Sequence, residues 1–112
     1  MPQLTVRGIT VEQMASISGG LVEEMAAVCK CGTDNFTIDC LAVTSVFGGK
    51  TTETYPFIEV AWFERGMQVR SRLAAVITKY VQGAGVPELE VAFKVYAPAG
   101  YYINGERCGE EE

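Results

Sequence analysis

The sequence repeats one order of predicted elements, strand, helix and strand, at an offset of 54 residues from Pro2 to Pro56. Each proline precedes an alternating apolar stretch of the kind that forms a half-buried strand. The repeats cover about 2–46 and 56–96, and a C-terminal segment covers 97–112. A chain of 112 residues has the size of one domain, so both repeats must share one core. The sequence therefore predicts a single domain, 1–112.

The hydrophobic pattern predicts six elements. We expect strands over 3–8, 36–46, 57–63 and 89–96 and helices over 10–31 and 66–82. Thr10 followed by Gln13 is the pattern of a capping box, in which each side chain bonds the other residue's backbone N–H. Gly19 and Gly20 interrupt the first helix, and we expect a close approach of its backbone to the sheet there.

Strand alternation divides the side chains between two faces of the sheet. One face is almost wholly apolar and can be covered by both helices; it carries Leu4, Val6, Ile38, Cys40, Ile58, Val60, Trp62, Leu89, Val91, Phe93 and Val95. The other face mixes apolar and charged residues, and no third layer remains in the chain to cover it, so we expect other copies to do so. On that face we expect Asp39 and Glu59 to pair with Arg7 or Lys94, across strands or subunits, because a buried lone charge is very costly.

These elements predict an α+β domain, a two-layer α/β sandwich in which two helices cover one face of a four-stranded mixed sheet. The pattern alone leaves two topologies open. One is the ferredoxin-like split arrangement, and the other is two parallel βαβ units set side by side.

Composition excludes several classes of function. The chain has no histidine, which excludes Ser-His-Asp and Cys-His catalysis and histidine-based metal sites. The four cysteines form no CxxC pair, and we expect free thiols with no metal and no other cofactor. A net charge of −5 argues against nucleic acid as a partner. Because the sequence shows neither a membrane-spanning apolar run nor a secretory signal, we expect a cytoplasmic protein that does not bind membranes.

Met1-Pro2 places a proline at the start of the first predicted strand. If Met1 is removed, Pro2 becomes a free secondary amine. A neutral amine can take a proton from a carbon next to a carbonyl and return it elsewhere. Most chains that begin Met-Pro carry no chemistry at that proline, yet no other residue here points so directly to a reaction.

The opening Met-Pro-Gln-Leu, the duplicated plan and the chain length resemble the tautomerase superfamily, which includes 4-oxalocrotonate tautomerase and macrophage migration inhibitory factor. The segments YPFIEVAWFERG, over 55–66, and YYINGE, over 101–106, are more closely similar to the bacterial family DUF1904. This resemblance covers nearly the whole chain and favours the side-by-side βαβ topology. It implies a homotrimer with its sheets as an inner barrel, and keto–enol tautomerisation with Pro2 as the base.

A base at Pro2 requires a donor or a cation aimed at the enolate oxygen. In the side-by-side topology, the start of the second strand and the end of the third lie near the start of the first. Lys30 and Arg65, at those two places, are therefore the predicted catalytic partners of Pro2. The predicted substrate-binding residues are Phe63, Tyr101, Tyr102 and Asn104. Aromatic packing and an Asn-Gly turn are an equally good interpretation of 101–105.

The sequence thus predicts two functions of different classes. The first is a tautomerase or isomerase acting on a small 2-oxo-acid-like or 2-hydroxy-acid-like compound. The second is a non-catalytic oligomeric protein, structural or small-molecule-binding, that retains the fold and keeps Met1. A ferredoxin-like regulatory module is a third alternative.

Overall fold

The computed structural model describes residues 2–109. Along the chain the strands and helices are β1 (Gln3–Arg7), α1 (Val11–Cys29), β2 (Thr37–Cys40), β3 (Ser45–Phe47), β4 (Lys50–Thr52), β5 (Phe57–Trp62), α2 (Met67–Gly83), β6 (Glu90–Val95), β7 (Tyr102–Ile103) and β8 (Glu106–Arg107). Two short 3₁₀ helices, Thr33–Asn35 and Pro98–Gly100, lie in the connections. No helix in the described part of the chain is long and apolar enough to cross a membrane.

The main sheet has four strands in the order β2-β1-β5-β6. β1 is parallel to β2 and β5 is parallel to β6, while β1 and β5 run antiparallel in the centre. Each parallel pair is joined by one helix, as a parallel connection requires. The fold is therefore the predicted α+β sandwich of two side-by-side βαβ units, and the ferredoxin-like alternative is wrong.

Helix α1 begins at the predicted capping box. The Gln13 backbone N–H donates to Thr10 Oγ1 at 3.0 Å, and Gln13 Oε1 accepts from the Thr10 backbone N–H at 3.0 Å. The helix ends at Lys30, which takes the left-handed conformation with φ 56°. The first backbone N–H groups of a helix have no partner within the helix. A capping box satisfies or shields two of them.

The prediction that Gly19 and Gly20 approach the sheet is wrong. A Cβ atom built on Gly20 would lie 3.0 Å from Tyr80 Cε1 on α2, whereas none of the described atoms lies within 4 Å of one built on Gly19. The missing side chain therefore makes room for a tyrosine of the neighbouring helix. A glycine inside a helix indicates a close approach, but it does not say which neighbour approaches.

The long second strand predicted over 36–46 is also wrong. β2 stops at Cys40, and the chain then forms a separate hairpin of β3 and β4 around Gly48 and Gly49. The backbone N–H of Leu41 still donates to the Val6 carbonyl at 2.7 Å, but β1 ends one residue later, at Arg7, before Gly8 with φ 76°. Beyond that point β2 has no neighbouring strand to pair with. Apolar residues continue to alternate in the sequence, but this segment is no longer part of the sheet.

The core lies between the sheet and the two helices, as the strand alternation predicts. Its fully buried side chains from the two central strands are Leu4, Val6, Ile58, Val60 and Trp62, which meet Leu21 and Met25 of α1 and Leu73, Ile77 and Val81 of α2. Burial of each such side chain contributes about 1.5–3 kcal/mol. Both βαβ units therefore contribute to one continuous core.

The opposite face of the sheet remains uncovered in the single chain. Leu41 and Val43, at its edge, are 48% and 44% exposed. The ion pairs expected for Asp39 and Glu59 do not form within residues 2–109, where Arg7 lies instead over the Phe57 ring at 4.8 Å. Any partner for these two carboxylates must come from outside the described chain.

Candidate functional site at the start of the first strand

Pro2 lies at the start of β1 and is less than 2% exposed. Its carbonyl accepts a hydrogen bond from the Thr37 backbone N–H at 3.3 Å, which ties it to the start of β2. Because side chains alternate along a strand, Pro2 shares the helix-facing side with Leu4, while Gln3 points to the open face. The structure therefore encloses the proline between sheet and helices and leaves its neighbour Gln3 accessible.

Arg65 lies near this end of the sheet, as predicted. The antiparallel register places Ala61 beside Gln3, so the chain that follows Trp62 passes the start of β1. The Arg65 guanidinium lies 5.2 Å from the centre of the Trp62 ring, and its Nη1 donates to the Phe63 carbonyl at 3.0 Å. Within residues 2–109 no carboxylate forms an ion pair with Arg65. This half-buried cation can therefore attract an anionic ligand.

An aromatic cluster forms around Tyr101 on the same end of the molecule. The Phe63 ring meets the Tyr101 ring edge-on with centres 5.0 Å apart, and the Tyr96 ring lies 5.4 Å from it. Gln3 Nε2 donates to the Tyr101 hydroxyl at 2.9 Å. A phenol that accepts one bond still has its own proton to donate. Gln3 thus joins the residue after Pro2 to a hydroxyl donor from the C-terminal segment.

Cys29, at the end of α1, also belongs to this region. Burial raises the pKa of its thiol, and the positive charge of Arg65 partly offsets that effect. Cys29 therefore stays a neutral thiol at neutral pH, and it lies within electrostatic reach of Arg65. The Trp62 indole Nε1, fully buried beneath Arg65, has no hydrogen-bond partner in the described part of the chain. Buried donors are rarely left unpaired in folded proteins.

The other three predicted residues lie at the end of α1 and in the β7–β8 hairpin. Lys30 is exposed at the end of α1, where its backbone forms the helix C-cap. Asn104 and Gly105 form the two-residue turn between β7 and β8, with φ 52° and 83°. Tyr102, on β7, is 58% exposed. Among residues 2–109 no hydrogen bond or ring contact joins these three to Arg65 or Tyr101.

The family model described as "Domain of unknown function (DUF1904)" matches residues 1–107. The chain belongs to the DUF1904 family. It is 30% identical to a DUF1904 domain from Sebaldella termitidis ATCC 33386, whose crystal structure superimposes with a TM-score of 0.87 over 96% of this chain and 99% of that one. No curated protein matches the sequence.

The fold of this DUF1904 protein recurs in tautomerase-superfamily structures. A fused 4-OT, described as a wild-type asymmetric trimer, is 19% identical, with a TM-score of 0.78 and 95% of each chain covered. The macrophage migration inhibitory factor-like protein from Entamoeba histolytica is 15% identical, with a TM-score of 0.65 and 95% and 97% of the two chains covered. At these identities the comparison shows a shared fold and no more.

Four residues of this DUF1904 site are not among those predicted. Gln3 carried a usable signal, because it follows Pro2 and its parity points to the open face. Tyr96 belongs to the predicted last strand. The alternation there predicts only which face of the sheet its side chain occupies. Cys29 and the Trp62 nitrogen gave no signal, because their significance depends on where Arg65 folds back.

Proposed function

We propose that this DUF1904 protein is a tautomerase-type isomerase whose base is the nitrogen of Pro2. The observation that carries the proposal is the grouping, at the start of β1, of a buried proline, the Tyr101 hydroxyl and the Arg65 cation, which has no carboxylate partner within residues 2–109. Phe63 packs against Tyr101 and completes the apolar side of this site. The roles predicted for Lys30, Tyr102 and Asn104 are not part of this proposal.

The proposal requires that Met1 be removed, because the nitrogen of an internal proline is an amide and accepts no proton. An α-amino group in a peptide titrates at about 7.7–8.0, and a secondary amine such as that of an N-terminal proline titrates higher. The buried position of Pro2 disfavours the charged amine, and so does the positive charge of Arg65. Both effects lower the pKa of the proline nitrogen toward neutral pH, where a base of this kind is most effective.

The predicted substrate is a small compound that carries a carboxylate next to a carbonyl. Arg65 would bind the carboxylate or the enolate oxygen, since guanidinium groups bind carboxylates in bidentate fashion. Pro2 nitrogen would take one proton from the carbon next to the carbonyl and leave the electron pair on the enolate. The Tyr101 hydroxyl, held by Gln3, would donate a hydrogen bond to that oxygen. Return of the proton from Pro2 to a different atom completes the isomerisation.

We further propose that the protein assembles as a homotrimer. Edge strands β2 and β6 each have one side unpaired in the described chain, and the open face of the sheet carries exposed apolar side chains. Unpaired strand edges favour pairing with another chain. The fused 4-OT structure is a trimer of this fold. Analytical ultracentrifugation that finds three chains per particle would support this assembly, and a monomer would contradict it.

A non-catalytic binding protein is the second candidate, and one observation favours it. Pro2 is less than 2% exposed, so no ligand reaches its side chain in the single described chain. Such a protein would keep Met1 and would use Arg65 only to hold a carboxylate.

An exchange experiment separates the two candidates. Wild-type protein is incubated with an enolisable 2-oxo acid in D₂O, and loss of the proton next to the carbonyl is followed by NMR. We expect Pro2→Ala to lower the exchange rate by about 10²–10⁴-fold, the usual contribution of a general base. Pro56→Ala is the matched control, because Pro56 precedes β5 as Pro2 precedes β1 but never has a free nitrogen. Equal rates in wild type and Pro2→Ala would reject the isomerase and leave the binding protein.

A further inference from the structure

A groove of about 500 Å³ lies at the opposite end of the sheet from Pro2. Its floor is formed by residues of three neighbouring strands, and its wall is formed by the two segments that lead into and out of the β3–β4 hairpin. The volume lies within the range of about 300–1,000 Å³ that is usual for small-molecule sites. None of the residues proposed for the isomerase lines it.

The floor is a row of three side chains on the open face of the sheet. Arg7 is the register partner of Phe57 on β5, and Phe57 is the register partner of Glu90 on β6. Register partners point to the same side of a sheet, so the aromatic ring lies between a cation and a carboxylate. The Arg7 guanidinium lies 4.8 Å from the centre of the Phe57 ring.

These two charges do not neutralise each other. Within residues 2–109 neither Arg7 nor Glu90 takes part in an ion pair, although both line the same groove. Stacking on the ring holds the guanidinium over Phe57. Opposite charges kept apart across an apolar surface can each bind one end of a ligand that carries both signs.

The wall of the groove is held in place by close contacts. Ser45 Oγ and Thr54 Oγ1 share a hydrogen bond of 2.8 Å that joins the two segments. A Cβ atom on Gly8 would lie 2.6 Å from the Tyr55 carbonyl, so only glycine allows the end of β1 to lie this close to the wall. Gly8 also has φ 76°, a conformation that side chains disfavour. The groove is thus set by backbone contacts and does not rest on side-chain positions alone.

We propose that this groove binds a small zwitterion of the α-amino-acid class. Arg7 holds its carboxylate, Glu90 holds its ammonium group and the Phe57 ring contacts its apolar part. The hydroxyls of Ser45 and Thr54 lie on the wall beside these groups. A simple dianion meets the repulsion of Glu90, and a simple cation meets that of Arg7. The site is independent of Pro2 and of the isomerase chemistry, and it requires that the copies in a trimer leave the row of Arg7, Phe57 and Glu90 open to a ligand.

Binding is tested with three probes of the same shape, each titrated into the full-length protein and followed by ¹H–¹⁵N NMR. The probes are phenylalanine, 3-phenylpropionate, which lacks the ammonium group, and phenethylamine, which lacks the carboxylate. We expect saturable shifts at Phe57 and Ser45 with phenylalanine and binding at least about tenfold weaker with the other two. Equal affinity for all three probes, or no saturable shift with phenylalanine, would overturn the proposal.

Variants then assign the two charges. Arg7→Gln and Glu90→Gln should each weaken phenylalanine binding by about tenfold or more. Their matched controls are Arg72→Gln on α2 and Glu12→Gln on α1, which make the same charge changes at exposed helix positions. If the controls weaken binding as much, net charge and not the groove is responsible, and the proposal fails. The probe series on wild type decides the question even where a groove variant does not fold.

Discussion

The two βαβ units have the same framework, but they differ at the proline that precedes the first strand of each unit. In each unit a proline precedes the first strand, and its carbonyl accepts a hydrogen bond from the parallel partner strand: Thr37 N–H to Pro2 at 3.3 Å and Glu90 N–H to Pro56 at 3.1 Å. Pro2 is fully buried and lies next to the chain terminus, whereas Pro56 is partly exposed and internal. The proposed function therefore uses only one copy of this repeated framework, the one in which the proline can become an amine.

The helices of the two units show a similar difference. α1 begins with the capping box of Thr10 and Gln13, while α2 begins after Gly66, which has φ 93° and no side-chain cap. The Gly66 N–H instead donates to Glu64 Oε2 at 2.8 Å. The segment that lacks the standard cap is the one that carries Arg65 toward the site.

Among the substitutions that compare the two units, the largest effect is expected at the cation that only the second unit contributes. Arg65→Ala should lower kcat/KM for an enolisable 2-oxo acid by about 10²–10³-fold, the usual loss when a group that stabilises an oxyanion is removed. Steady-state kinetics measure this change. Arg70→Ala is the control, because Arg70 is a nearby arginine whose charge is already paired with Glu64 at 2.7 Å. Equal losses in both variants would show that general electrostatics, and not the position of Arg65, matters.

Core substitutions test whether the two units share one core. Leu4 and Ile58, on neighbouring central strands, are both 0% exposed. Leu4→Ala and Ile58→Ala should each lower the free energy of unfolding by roughly 2–5 kcal/mol, from lost burial and the cavity left behind. Urea denaturation measures both, with the exposed Val11→Ala as control. A clearly smaller loss, or a second unfolding transition, at one of the two positions would indicate units that fold separately.

The capping box tests the difference between the helix starts. Thr10→Ala should lower the free energy of unfolding by about 1 kcal/mol, because the Gln13 N–H loses its acceptor. Thr10→Ser, which keeps the hydroxyl, is the control and should restore most of that stability. An unchanged free energy in Thr10→Ala would mean that packing alone fixes the start of α1.

The smallest effect concerns the polar contact between the helices of the two units. Hydrogen bonds from Lys79 and Tyr80 on α2 hold the pKa of Glu24 on α1 below its usual range, and the same contact raises the pKa of both donors. A carboxyl whose pKa is lowered by folding stabilises the fold above its unfolded pKa, and this contribution is lost as the pH falls through the folded value. The raised donors act in the opposite sense, so their contribution is lost only in alkali.

Glu24→Gln should therefore be slightly less stable than wild type at neutral pH, and the difference should vanish well below the usual glutamate value of 4.5. Thermal unfolding between pH 2 and 8 measures this dependence. Glu23→Gln, one residue away and exposed, is the control. A stability difference that stays constant across this range would show that the Glu24 charge is not responsible.

Local rules predict much of this fold. Alternation assigned Leu4, Val6, Ile58 and Val60 to the buried face, and the spacing of Thr10 and Gln13 located the start of α1. The topology needed the family resemblance, because both βαββαβ arrangements satisfy the same pattern. The end of β2 depends on where its neighbour β1 stops, and no property of residues 41–46 reveals that.

The site is less predictable than the fold, because its contacts also depend on segments that are distant in the sequence. Pro2 stands out because it follows Met1. In the side-by-side topology, strand direction then places Arg65 near it, since an antiparallel pair brings one strand's start to the other's end. The bond from Gln3 to Tyr101 spans 98 positions and depends on the turn of the C-terminal segment. Asn104 was predicted as a site residue for its polar side chain. Its place in a tight turn is another reason for an asparagine at this position.

The central claim is that Pro2 acts as a free amine. The most direct test treats the purified protein with methionine aminopeptidase for increasing times and measures intact mass and exchange activity on the same samples. We predict that the exchange rate rises in proportion to the fraction of chains that lack Met1, and that Pro2→Ala, which exposes a primary amine instead, shows a far smaller rise. Full activity in chains that keep Met1, or none in fully processed chains, would contradict the claim.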